Sequence, residues 1–192
     1  MPRRPGLDRR VLVSEAAALA DAHGLEFVTL ANLAERLNIR VPSLYNHIES
    51  ADELQHQLSL FALQGLGDDI ARAAIGKNGA AGLLAIANAY RAFAKQHPGM
   101  YLATLRAPRP TDEAMLTITT AGLDVIRAVM VPFNLDGDPL IHAIRGFRSI
   151  VHGFVSLEAA GGFGFKQSTD ESFQFIVLLF ISGLSADRSR NQ

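Results

Sequence analysis

Apolar residues recur along this chain at intervals of three and four, the spacing that lines one face of an α-helix. Leu12, Ala16, Leu19 and Ala20 form one such stripe; Asp8 is its cap, Leu7 and Leu12 its flanking apolar pair, and His23-Gly24 its stop. Thr29 caps a second helix of two turns, stapled by Val28 and Leu33, with Leu30, Leu33, Ala34 and Leu37 on its apolar face. Asn38 follows at the chain reversal, where asparagine tolerates a left-handed backbone better than other non-glycine residues. Pro42 then stands as the first helical residue of a third helix, where its missing N–H is harmless, and Leu44, Tyr45 and Ile48 continue that helix.

Ser50-Ala51-Asp52-Glu53 reads as a capping box, with Ile48 and Leu54 as its staple, and predicts a fourth helix over about 50–65 that ends near Gly65 and Gly67. Further helices are predicted at about 80–96, 98–106, 112–131, 139–160 and 169–186. Asp138-Pro139 and Ser168-x-x-Glu171 mark the last two starts. No stretch alternates with period two, and the β-branched cluster at 117–120 lies inside helix-like apolar spacing. The expectation is an all-α protein of about nine helices: a small module at 1–49, a larger one at 50–192, and the fourth helix as connector.

A hydrophobic content of 48% is ample for a core, and a net charge of −1 argues against a uniformly basic coat. Positive charge is instead local: Arg3, Arg4, Arg9 and Arg10 face only Asp8, four positive against one negative. Such an arm either touches phosphates or is a solvated tail. The absence of cysteine excludes disulfides, thiolate zinc sites and a Cys nucleophile, and suits a reducing interior. The N-terminus lacks the apolar core of a signal peptide, and the longest apolar run, 175–181, is far short of the ~20 residues of a spanning helix. A soluble, cytoplasmic protein without membrane partners is expected.

The second and third predicted helices stand at the spacing of a helix-turn-helix. A groove-reading helix needs short or planar polar side chains at its exposed end and an apolar opposite face. With Leu44 and Ile48 turned inward, Pro42, Ser43, Tyr45, Asn46 and His47 lie on or beside the outer side, and Thr29 offers its hydroxyl and amide to a phosphate. The competing structural reading is two antiparallel amphipathic helices in a bundle, with Tyr45 and His47 as ordinary surface residues.

These residues resemble the TetR family of transcriptional regulators, whose signature runs from Ala-x-x-x-Gly-Val through Leu-Tyr-x-His-Phe to Ser-Lys-x-x-Leu. Here the positions read Ala34, Asn38-Ile39, Leu44-Tyr45-Asn46-His47-Ile48 and Ser50-Ala51-Asp52-Glu53-Leu54. The resemblance implies that Tyr45 and His47 contact phosphates while Arg40, Ser43 and Asn46 reach base edges. Asn38 replaces the usual turn glycine and Ile48 the usual aromatic, and neither threatens the fold. Ala51 stands where a lysine commonly binds phosphate, which removes one electrostatic contact. His97-Pro98-Gly99-Met100-Tyr101, Val151-His152-Gly153-Phe154 and the run E-A-A-G-G-F-G-F at 158–165 extend the resemblance to a regulatory-domain subgroup. In that family the C-terminal half senses ligands and dimerises, its last two helices forming an intersubunit four-helix bundle.

Other chemistry is thinly represented. The glycine run 161–166 lacks the Gly-Lys-Ser/Thr ending of a phosphate loop, and no two of the six histidines stand at the i, i+4 spacing of helical metal ligands. No nucleophile elbow or dinucleotide loop is present, so no enzyme, cofactor or metal is expected. Phe93, Met100, Tyr101, Leu105, Met115 and Ile118 mix with Arg145, Arg148 and His152 as candidate walls of a small-molecule cavity; individually each reads more readily as core, with the arginines solvated or bridging helices. Candidates for a dimer face are Ile150, Phe154, Leu157 and Phe163, with Phe173, Ile176, Val177, Phe180 and Leu184, unless both helices bury these within one subunit. The expected function is a dimeric, ligand-released repressor on a palindromic operator; the alternative is a helical binding or interaction module without operator recognition.

Overall fold

The computed structural model describes residues 8–106 and 111–187. Among them are nine α-helices and no strand: α1 (Arg9–His23), α2 (Leu30–Leu37), α3 (Val41–Leu44), α4 (Ala51–Ala74), α5 (Gly79–Gln96), α6 (Pro98–Ala103), α7 (Glu113–Met130), α8 (Gly137–Ala159) and α9 (Thr169–Asp187). The protein is all-α. Short 3-10 turns at Leu25–Phe27 and Val131–Phe133 complete the chain path.

The helix boundaries follow the caps read from sequence in most places. Asp8 accepts from the Val11 amide at 2.8 Å, Thr29 Oγ1 from Asn32 at 3.1 Å, and Ser168 Oγ from Glu171 at 3.3 Å. Asn38 ends α2 with φ 54°, ψ 48°, the left-handed turn expected of it. Leu7 and the arginines Arg3 and Arg4 lie outside the described residues.

Four boundaries differ. α3 begins at Val41, one residue before Pro42, and ends at Leu44 instead of continuing through Tyr45 to Ile48. α4 does not stop at Gly65 but runs to Ala74, because Leu66 and Ile70 are buried on its inner side and packing outweighs the ~1 kcal/mol of helix propensity that each glycine forfeits. α6 ends at Ala103 instead of 106, where the Thr104 hydroxyl turns back to donate to the Tyr101 carbonyl at 2.7 Å. α8 starts at Gly137 behind Asp136, so Asp138-Pro139 falls within its first turn. The Glu113–Phe133 stretch is long and apolar enough, by length and composition, to cross a membrane. The sequence reading missed it because threonines, glycine and Asp124 interrupt any continuous apolar run there.

The chain forms two compact units. The first comprises the residues up to Gly65 together with His97–Ile118; the second comprises Leu66–Gln96 and the residues from Thr119 onward. α4 supplies residues to both.

In the first unit Leu12, Leu33, Leu44, Ile48, Leu54 and Leu58 are at most 1% exposed and form a common core beneath α1 to α4. α6 is fastened to the end of α1. Asp21 accepts from the Met100 amide at 2.9 Å and lies 2.7 Å from His97 Nδ1, so a side chain of α1 satisfies one of the free N–H groups at the start of α6. Gly99 permits this approach: a Cβ on it would lie 2.1 Å from the carbonyl carbon and oxygen of Ala20. The motif His97-Pro98-Gly99 is thus a packing device on α1.

In the second unit Leu83, Ile86, Phe147, Val151, Val155, Phe173, Val177 and Ile181 are buried among α5, α8 and α9. A charged cluster sits within these apolar residues. Arg91 of α5 donates through Nε and Nη2 to both oxygens of Glu158 on α8, at 2.8 and 2.5 Å, and Nη2 also pairs with Asp170 of α9 at 2.8 Å. Its guanidinium carbon lies 4.9 Å from the Phe173 ring centre and 5.6 Å from that of Phe154. The hydrogen bonds to Glu158 hold the arginine's pKa above its ordinary value despite burial, and those same bonds hold Glu158 below the usual carboxylate range.

Candidate nucleic-acid interface

The surface built by α2, the turn and α3 follows from where its apolar residues go. Leu44 is fully buried and Ile48 is 1% exposed, so the polypeptide around them must turn its remaining side chains outward. Tyr45 is 53% exposed; Arg40, Pro42 and Asn46 are also exposed, while Ser43 and His47 are half-buried. The α-helical part of this segment is only Val41–Leu44, with 45–47 continuing as turns bonded back to it: the His47 and Ile48 amides both donate to the Leu44 carbonyl, at 2.9 and 3.1 Å.

Thr29 is exposed at the start of α2, where the helix presents its positive end. Its oxygen already accepts from Asn32, so a contact with a phosphate would use its O–H as donor. Gln55 of α4 donates to the Val28 carbonyl at 2.9 Å, and Arg36 of α2 pairs with Glu15 of α1 at 2.6 Å. These bonds fix α2 against its neighbours and leave Thr29 and the α3 residues on the outside of the unit.

Sequence reasoning grouped Arg9 with the basic arm. The structure gives it another partner set: Nε donates to the His47 carbonyl at 3.1 Å, and Nη2 stands 3.4 Å from Glu53 Oε1. Nothing in the local pattern of charges indicates a partner 38 residues away.

The chain matches a family model described as "Tetracyclin repressor-like, C-terminal domain" over residues 83–180. It is 33% identical over 185 residues to an uncharacterized HTH-type transcriptional regulator, YobS, of Bacillus subtilis (strain 168), with 96% of each chain covered. A second relative, the uncharacterized HTH-type transcriptional regulator Rv0681 of Mycobacterium tuberculosis (strain ATCC 25618 / H37Rv), is 32% identical over 93% of this chain and 82% of its own.

The chain belongs to the TetR family.

Among solved structures, a protein of unknown function from Rhodococcus sp. RHA1 has the same fold with a TM-score of 0.79 at 21% identity, covering 96% of this chain and 99% of its own. A TetR variant from Acinetobacter baumannii AYE, in complex with minocycline, has a TM-score of 0.68 at 22% identity, covering 95% and 98%. As a TetR-family member the chain is an HTH-type transcriptional regulator.

The candidate cavity residues divide between the two units. Met100, Tyr101 and Met115 are buried in the first, with Ile118 half-buried and Leu105 exposed; Phe93 is buried in the second, with His152 half-buried. Arg145 and Arg148 are exposed on α8.

The candidate dimer residues divide between the inner and outer sides of their helices. Phe173 and Val177 are each 1% exposed and, with Ile181, form the inward stripe of α9, so they are spent on the subunit's own core. The outward apolar residues are Phe175 (68% exposed), Leu178 and Leu179, with Leu157 on α8. α9 is apolar on nearly every side, and its period therefore does not distinguish the inner face from the outer. Phe163 stacks on Phe154 at 4.7 Å, both on the same subunit, while Ile150, Ile176, Phe180 and Leu184 are half-buried.

Proposed function

We propose that this TetR-family regulator is a repressor that binds a palindromic operator as a homodimer and is released by a small molecule. The observation that carries the reading is the polar end of α3: an exposed phenol, amide and proline, with an imidazole beside them, over a buried Leu44 and Ile48. Tyr45, His47 and Thr29 serve phosphates; Arg40, Ser43 and Asn46 serve base edges. Residues 1–49 form the DNA-binding part and 50–192 the regulatory part, with α4 between them.

A second copy covers the exposed α9 and α8 residues Phe175, Leu178, Leu179 and Leu157, an apolar group of the kind soluble monomers seldom leave open. Dimerisation places two reading heads on successive turns of one duplex face. The minocycline complex of the Acinetobacter protein supports reading the regulatory part as a small-molecule receptor, whose ligand shifts the dimer toward a conformer with misplaced heads. Operator binding places the protein with the DNA, in the cytoplasm.

Tyr45→Ala is expected to weaken binding to all duplexes evenly, whereas Asn46→Ala relaxes preference at one base position, by about 1 to 3 kcal/mol for a bidentate contact. Binding measured against a set of single-base operator variants separates the two patterns. Equal, sequence-independent losses from both substitutions would reject the assigned roles.

A further inference from the structure

α3 is too short to hold its own position. Four helical residues lie far below the length at which a helix is stable alone, so its placement comes from tertiary anchors. Leu44 and Ile48 fix its depth, but apolar contacts are non-directional and leave its tilt and axial rotation to polar groups at its ends.

At the C-terminal end that anchor is Arg9, the first residue of α1. Its Nε meets the His47 carbonyl and its Nη2 meets Glu53, two donors on one edge of a planar guanidinium. Glu53 is itself fixed. Its amide donates to Ser50 Oγ at 3.1 Å, the N-cap bond that starts α4, and its Oε2 accepts from the Glu49 amide just ahead of that cap. One guanidinium thereby ties the start of α1, the end of the reading segment and the start of α4.

We infer that Arg9 is a positioning residue for the DNA-reading helix, acting through the His47 carbonyl and Glu53, and is not a phosphate ligand of the basic arm in which it stands. The inference rests on the operator-binding reading. Because Asn46 and His47 lie in the anchored turn itself, loss of Arg9 displaces groups that meet DNA without removing any contact of its own.

The test uses the full chain and a duplex selected from a random pool by the wild-type protein, with affinity measured across a salt series for Arg9→Met, Arg9→Lys and Glu53→Gln. Selection of a duplex tests the operator-binding reading by itself, before any variant is made. The expected result for Arg9→Met is a loss of roughly tenfold with an unchanged slope of log affinity against log salt, since no phosphate contact has gone. Arg9→Lys is expected to be equally weak, because an ammonium does not reproduce the two-donor edge. The double variant Arg9→Met/Glu53→Gln should be no weaker than Arg9→Met alone.

A slope reduced by about 0.9, full recovery with lysine, or additive losses in the double variant would each overturn the inference. Hydrogen exchange provides a readout that needs no DNA. The His47 and Ile48 amides, bonded to the Leu44 carbonyl, should exchange about tenfold faster in Arg9→Lys than in wild type. Unchanged exchange at both would refute the positioning role even where affinity falls.

Discussion

Gly99→Ala is expected to destabilise the protein by about 3 kcal/mol, the upper range for overpacking a well-filled contact. The added Cβ would stand 2.1 Å from the carbonyl carbon and oxygen of Ala20 and 2.7 Å from the Asp21 amide nitrogen. All three are backbone atoms in the last turn of α1, so no flexible side chain yields and α6 must retreat as a body. Retreat breaks the Asp21 contacts to the Met100 amide and to His97, leaving helix-start donors and a carboxylate to find water. For a chain of this size a loss of about 3 kcal/mol corresponds to a fall in Tm of roughly 6 to 12 °C. Gly67→Ala is the matched control: its Cβ meets nothing within 4 Å inside α4, and alanine should stabilise that helix by about 0.5 to 1 kcal/mol. Thermal melts of the two variants side by side should move in opposite directions; an unshifted melt for Gly99→Ala would show that α6 does not abut α1 as described.

Arg91→Ala should destabilise by about 3 kcal/mol, the lower end of the range for breaking a buried ion pair, because Asp170 is open to solvent. Glu158 would keep Lys95, 3.6 Å away, and its hydrogen bond with Thr169, beside two aromatic rings that have lost the cation over them. The pH dependence follows from the direction of the Glu158 shift. Its folded-state pKa lies below the ordinary 4.5, so the folded protein binds the proton less readily than the unfolded chain. The associated stability is fully present above the unfolded value and is lost as pH falls through the folded one. The wild-type advantage over Arg91→Ala should therefore hold from neutral pH down to about 4.5 and shrink below it. Denaturant titrations at pH 7, 5 and 3 measure this directly. An advantage that stayed constant to pH 3 would mean that the Arg91–Glu158 bond carries none of the difference.

Sequence legibility in this protein follows the range of the interaction. Caps and turns are encoded within three or four residues, and the roles of Asp8, Thr29, Ser50 and Ser168 at helix starts, Asn38 at the reversal and Pro42 in the α3 first turn were readable for that reason. The outward display of Tyr45 and Asn46 followed from the burial of Leu44 and Ile48, one helical turn apart. Contacts between distant residues left no such trace. Arg91 and Glu158 are 67 positions apart, His97 and Asp21 76, and neither pair differs in local sequence from a solvated charge. The glycine in His97-Pro98-Gly99 was visible as part of a motif, yet its cause, the backbone of α1 pressed against it, was not. α4 and α9 mark two further limits. Gly65 and Gly67 mimic a helix end that buried Leu66 and Ile70 override, and an all-round apolar helix has no period from which to read its inner side.

In the repressor proposed here, two α3 segments read one symmetric duplex. Selection of bound DNA from a random pool by the full-length protein, followed by footprinting of the enriched duplex, tests it most directly. The account predicts a two-fold-symmetric sequence with two protected half-sites about one helical turn, ~34 Å, apart along one face, and loss of protection with Tyr45→Ala. Recovery of a pool no different in sequence from the starting one, or a single unpaired half-site on the enriched duplex, would contradict it.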